Sequence, residues 1–128
     1  MDSKIKITTY VDSEKIHEES YLGSFLEQTS SEKINYSDKN NKKIEIFIDK
    51  IKESVSIEKD DSKIYLAYTK TSNDYSTQYG QMKLETQLVK MSKMSKNSFT
   101  LFEVVYNIYF GKNDKQQNKL KILVKNIE

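Results

Sequence analysis

The stretch SFTLFEVVYNIYF, residues 98–110, constrains this chain most. Phe102, Val104, Tyr106, Ile108 and Phe110 fall on one parity, while Glu103 and Asn107 fall on the other. Successive side chains of a strand point to opposite faces, so a period of two writes a strand with one apolar face. The same period recurs in shorter runs. KIKITTYV carries Ile5, Ile7 and Val11, KINYSD carries Ile34 and Tyr36, and KIEIFI carries Ile44, Ile46 and Ile48. SVSIE carries Val55 and Ile57, KIYLAY carries Ile64, Leu66 and Tyr68, and KLKILV carries Leu120, Ile122 and Val124. In ESYLGSFLEQ, Leu22 and Leu26 alternate against Tyr21 and Phe25.

Polar clusters separate these runs. DKNNKK contains Asn40-Asn41, and asparagine tolerates the left-handed backbone that tight hairpins need. KDDS and GKNDKQQN read as turns as well. The pattern predicts an all-β chain of eight or nine antiparallel strands in an up-and-down meander. Such a sheet exposes its edges unless it closes, so a single closed β-barrel spanning residues 1–128 is expected. One segment fits two templates: Ile44, Phe47, Ile48, Ile51 and Val55 also satisfy helical spacing. Dense β-branching and the Ile44–Ile46–Ile48 alternation favour strands over residues 42–55, with a helix as the alternative.

The stretch DYSTQYGQMKLET, residues 74–86, changes phase partway. Tyr75, Thr77 and Tyr79 share one parity, and Met82, Leu84 and Thr86 share the other. A β-bulge at Gly80 would flip the later side chains and bend one strand, as a barrel corner requires. A tight turn near Gly80-Gln81, giving two strands, is the alternative.

Composition narrows the chemistry. The 128 residues are enough for one domain with its own core, without metal or disulfide support. There is no cysteine, which excludes disulfides and thiolate chemistry and suits the reducing cytosol. The N-terminus MDSKIKITTY has no apolar run of signal-peptide length, and no segment is apolar enough for a membrane-spanning helix. A soluble, cytoplasmic protein without a membrane partner is the expectation.

The 21 basic residues against 19 acidic ones leave a net charge of +2, and every basic residue is lysine. Arginine supplies the planar fork for phosphates and base edges, and lysine does not replace it there. Aromatic residues among lysines could stack single-stranded bases. Here, however, the aromatics follow core parity and the lysines are dispersed among acids, so no nucleic-acid partner is expected.

His17 is the only histidine, in EKIHEES, and its consecutive glutamates would point to opposite strand faces, so no metal site is expected. No nucleophile–base pair or phosphate-cradling glycine loop is present. Acidic residues sit beside lysines in SEK, DK and KES, as on a solvated face. No catalytic residue and no cofactor is therefore assigned.

An eight-stranded barrel is just wide enough for its own side chains or for one small ligand. Tyr36, Tyr68 and Tyr106 each fall in phase with an apolar face, and a buried tyrosine hydroxyl needs a partner. Their hydroxyls either satisfy one another, water and backbone, or converge on a pocket for a small amphipathic ligand. With Tyr75, Thr77 and Tyr79 they are the candidate barrel-lining residues.

YSTQYGQMKLET, then VVYNIYF about twenty residues on, then NKLKILV, resembles the YwiB-like family of small bacterial proteins of uncharacterised function. The family pattern falls on Tyr75, Tyr79-Gly80, Met82, Leu84, Thr86 and Tyr106, with Asn118 opening the last strand. Gly23 before Phe25, INY at Ile34–Tyr36 and VSIEK look like its earlier strands. The family tends to carry an arginine and then a glycine after VSIEK, where this chain has Lys59 and Asp60-Asp61. The resemblance covers nearly the whole chain and implies a closed, calycin-like barrel. It implies no activity. The function expected is small-ligand binding in the barrel, and the alternative is a protein-interaction module whose barrel is filled by its own side chains.

Overall fold

A computed structural model describes residues 2–59, 62–77, 80–110 and 114–126, with side chains for all of these except 2, 75–77, 81, 82 and 126. The strands are β1 (Asp2–Val11), β2 (Glu14–Glu27), β3 (Ser31–Ser37), β4 (Lys43–Asp49), β5 (Ser54–Lys59), β6 (Ser62–Ala67), β7 (Thr71–Thr77), β8 (Gly80–Lys96), β9 (Phe99–Tyr109) and β10 (Lys115–Asn126). They form one antiparallel sheet in the order β6-β5-β4-β3-β2-β1-β10-β9-β8-β7. The first and last strands pair side by side along Ser3–Val11 and Asn118–Asn126. The two open edges, β6 and β7, are therefore consecutive in the chain, and the sheet curls into a nearly closed barrel with its seam between them.

The tenth strand comes from Gly80. Thr77 pairs with Gly80, so the chain reverses between them, and β7 and β8 are two arms of a hairpin. Gly80 has φ 113°, a conformation that favours glycine. The phase change in DYSTQYGQMKLET is thus a turn, and the expected bulge there is corrected. Bulges fall elsewhere: Ile16 is the extra residue of β2 against β1, and Val89 that of β8 against β9. Each leaves its apolar side chain exposed, 58% for Ile16 and 45% for Val89.

Residues 42–55 form two strands rather than a helix. Asp49 Oδ1 accepts the backbone N–H of Ile51 and of Lys52, both at 3.0 Å, and Glu53 takes φ 53°. This local turn throws Ile51, which a helix would have buried, into solvent at 78% exposure. At the β3–β4 turn, Asp38 Oδ1 accepts from Asn40 N at 2.9 Å and Lys42 N at 3.0 Å. Asn41 adopts φ 60° there, the left-handed role expected of the asparagine pair.

Strand register sorts the side chains into rows. On the inner face, Glu27, Glu32, Ile48, Val55 and Leu66 form one row, and Phe25, Ile34, Ile46, Ile57 and Ile64 the next. Gly23, Tyr36, Ile44 and Lys59 form a third. On the opposite wall, Ile7, Ile122, Phe102 and Lys93 share a row, as do Val11, Asn118, Tyr106 and Leu88. Ile5, Ile34, Ile46, Val55, Leu66, Leu88, Phe102 and Ile122 are fully or nearly buried and make the core.

At Gly23, β2 is crowded by both of its neighbours, β1 and β3. An added Cβ would lie 2.0 Å from the Asn35 carbonyl oxygen and 2.7 Å from Ile5 Cδ1. Beyond it toward Glu14, β2 pairs with β1 alone, so β2 and β3 part at this glycine.

Candidate functional site

The two ends of the barrel differ in chemistry. At one end the Glu32 carboxylate, whose side chain has no exposure, accepts Lys93 Nζ at 2.7 Å and Lys50 Nζ at 2.6 Å. Lys93 also holds Glu27. Beside this cluster Phe25 and Phe102 meet edge to face, with ring centroids 5.8 Å apart. β2 and β3 thus touch β8 and β9 through the interior, and this end is sealed by side chains.

At the other end the inner row opens. Ile44, Ile57 and Ile64 are only partly buried, as are Tyr21 and Tyr36. The two tyrosine rings stack at 4.6 Å with an interplanar angle of 27°. Tyr21 Oη donates to Glu19 Oε2 at 2.7 Å, and Glu19 is held in turn by Lys39 and lies 3.8 Å from His17 Nε2. Lys59 Nζ lies 3.3 Å from Asp38 Oδ2. The mouth is an apolar wall under a rim of hydroxyls, carboxylates and ammonium groups.

Electrostatics follow from this placement. Burial pushes the Tyr36 phenol up to about 12, with the Asp38 charge adding to it. Burial also raises Tyr21, and its bond to Glu19 adds to that. Lys39 and then Tyr21 hold the Glu19 carboxyl below its ordinary value. The phenols therefore act as neutral donors at ordinary pH, facing carboxylates that stay charged.

Of the residues singled out in the sequence, Tyr36 stands on the inner face of the mouth. Tyr106 is 7% exposed deeper in the wall, and its hydroxyl accepts Asn118 Nδ2 at 3.3 Å. Tyr68 is corrected: β6 ends at Ala67, so Tyr68 lies in the link to β7, 42% exposed, away from Tyr36 and Tyr106. Tyr75 and Thr77 occupy β7 opposite Met82 and Gly80, and their side chains lie outside the described residues. Tyr79 lies outside them entirely. Phe110, expected on the apolar face, follows the end of β9 and is 48% exposed.

Tyr21, Glu19, Glu32 and Lys93 belong to the two barrel ends without being singled out by the sequence pattern. The signal was present, since Glu32 lies two residues before Ile34 on the same parity, and Tyr21 two before Gly23. Alternation gives the face, but it does not say that a lysine from β8 will neutralise a glutamate on β3.

A second feature lies on the outer side of the same wall. A concavity of about 1040 Å³ is lined by Leu22, Ser24, Asn35, Glu45 and Glu58 and reaches Tyr36, Ile44 and Lys43 toward the rim. Register places Ser24, Asn35, Glu45 and Glu58 in one outward row. Leu22 is 72% exposed and Leu26, on the same face, 52%.

No protein-family model matches the chain, and no curated protein matches its sequence. Among solved structures it is similar to the ywiB protein from Bacillus subtilis, with a TM-score of 0.78 at 10% identity. The match covers 99% of this chain and 92% of that one. Antiparallel strands in a nearly closed barrel, matched over almost the full length of both chains, give this protein a YwiB-like fold.

Proposed function

We propose that this chain is a non-catalytic binding protein, calycin-like in design, that takes a small amphipathic molecule at the barrel mouth. The observation that carries the reading is the gradient of burial along the inner face. Ile48, Val55 and Leu66 at the sealed end are 3%, 0% and 0% exposed, whereas Ile44, Ile57 and Ile64 at the mouth are only partly covered. Apolar side chains facing inward yet incompletely covered are what a small-molecule site offers, with a few polar groups to fix orientation.

An apolar portion would lie against the three isoleucines. A polar head would meet the Tyr21 and Tyr36 hydroxyls and the rim charges of Glu19, Asp38 and Lys59. Tyr106 serves as support behind this surface. The absence of cysteine suits a setting in the bacterial cytosol.

Native mass spectrometry of the purified protein, with titration of an apolar fluorescent probe and displacement by lipids and metabolites, tests this. A retained small molecule, or saturable and displaceable probe uptake, is expected. No occupant and no probe uptake would end the reading.

The outer concavity favours a second reading, an interaction module. In that case a partner protein captured by the native chain would be lost with Leu22→Glu or Leu26→Glu, and probe binding would be absent.

A further inference from the structure

Among the described residues, backbone ladders join every neighbouring pair of strands around the sheet except β6 and β7. What spans that seam is a side chain. The Tyr65 N–H donates to Asn73 Oδ1 at 2.8 Å, and Asn73 Nδ2 donates back to the Tyr65 carbonyl at 3.2 Å. The Asn73 carboxamide therefore repeats the exchange of N–H and C=O bonds that a facing residue makes in an antiparallel ladder. Asn73 Nδ2 also donates to Thr86 Oγ1 at 2.8 Å, and the Thr86 hydroxyl donates to the same Tyr65 carbonyl at 3.2 Å.

Asn73 and Thr86 are 7% and 2% exposed, polar residues turned into the inner wall next to the apolar Leu66 and Leu88 rows. Gln87 Nε2 adds one bond to the Tyr68 carbonyl in the link, at 2.9 Å. The strands on either side are weak ones. β6 has six residues, and β7 runs through Ser72, Asn73 and Asp74, of which asparagine and aspartate are depleted in strands.

We propose that the β6–β7 seam is where the barrel wall opens, and that Asn73 is its latch. Separating any other pair of strands breaks a registered ladder. Among the described residues, the hydrogen bonds that opening the seam breaks all involve a side chain, and water replaces them. Local opening draws on the least stable parts of a fold, and among the described residues the seam has no ladder to lose. Opening there gives lateral access to the inner wall beside Leu66 and Leu88. That this passage admits a ligand rests on the function proposed above, whereas the opening itself does not.

Amide hydrogen exchange on the full chain tests the latch. In Asn73→Ala, exchange at the Tyr65 amide should rise about tenfold or more, with β1, β9 and β10 at native rates. Thr86→Val removes only the hydroxyl and should act in the same direction to a smaller extent. It also decides the matter if Asn73→Ala does not fold. Unchanged Tyr65 exchange in the folded variants, or a rise shared equally by all strands, would overturn the proposal. The association rate of the apolar probe should increase several-fold in Asn73→Ala. A chain that binds no probe at all would count against the proposed function, and the exchange data would still judge the seam.

Discussion

Lys93 Nζ meets Glu32 Oε1 at 2.7 Å across the interior of the barrel, from β8 to β3. Four strands separate β8 from β3 in either direction around the ring, so the pair spans it from opposite walls. Lys50 shares the same carboxylate oxygen, and Glu32 Oε2 has no hydrogen-bond partner among the described residues. Removing one partner of a buried ion pair strands a charge, which commonly costs more than the pair itself contributes. Lys93→Met should therefore destabilise by about 3 kcal/mol, with Lys50 limiting the loss. Adding Glu32→Leu in the same chain should restore most of it. Urea unfolding of both variants measures this, and equal losses in the single and double variants would contradict it.

Gly23 leaves no room for a side chain between β2 and its neighbours β1 and β3. A methyl group there would sit 2.0 Å from the Asn35 carbonyl oxygen and 2.9 Å from Tyr36 Cβ, and backbone oxygen cannot swing aside. Gly23→Ala should cost about 3 kcal/mol or more, seen as a large drop in the urea midpoint. Gly80→Ala meets no neighbour within 4 Å and should show only the cost of its positive φ, on the order of 1 kcal/mol.

Tyr106→Phe removes a hydroxyl that accepts from Asn118 Nδ2 at 3.3 Å. Gln116 Nε2 still donates to Asn118 Oδ1 at 2.7 Å and holds the carboxamide in place, while the Asn118 Nδ2 N–H loses its acceptor, so a loss of about 1 kcal/mol is expected. Probe affinity should stay unchanged, because Tyr106 lies behind the mouth. A fall in affinity without a fall in stability would instead make it a direct contact.

Alkaline pH should loosen the mouth. Burial raises Tyr36 from 10.0 to about 12, so the folded chain holds this proton more tightly than the unfolded chain does. Stability is unaffected by this group below pH 10 and falls as pH rises from about 10 to about 12. Lys93 acts in the same direction: burial lowers its pKa, but the Glu27 and Glu32 carboxylates outweigh that and hold it raised. Ultraviolet titration of the phenols alongside unfolding should show Tyr36→Phe blunting the alkaline loss. An identical alkaline midpoint in the variant would refute this assignment.

The strands were legible because a period of two survives in nearly every run, and Asn41 announced the left-handed turn it occupies. Three features were not legible, each for a physical reason. Gly80 fits a bulge or a turn equally well until the pairing of Thr77 with Gly80 is known. Ile51 satisfied a helical face because the capping of Asp49 onto Ile51 N and Lys52 N leaves no mark in an apolar pattern. Glu32 and Lys93 lie 61 residues apart, and only the closure of the ring turns two inward charges into a bridge. At the mouth, Tyr36 was found from its parity. Tyr21 stands in the sequence only as one side of an alternation, and Tyr68 keeps the parity of Ile64 and Leu66 although its strand ends one residue before it.

On the function proposed above, the inner wall at the mouth binds a small amphipathic molecule. The most direct measurement is a titration of the ¹⁵N-labelled chain with an apolar fluorescent probe, followed by amide chemical shift. Saturable shifts centred on Tyr21, Tyr36, Ile44, Ile57 and Ile64 are expected, with Ile48 and Leu66 at the sealed end unmoved. Shifts centred instead on Leu22, Ser24, Glu45 and Glu58 of the outer concavity, or none at saturating probe, would contradict it.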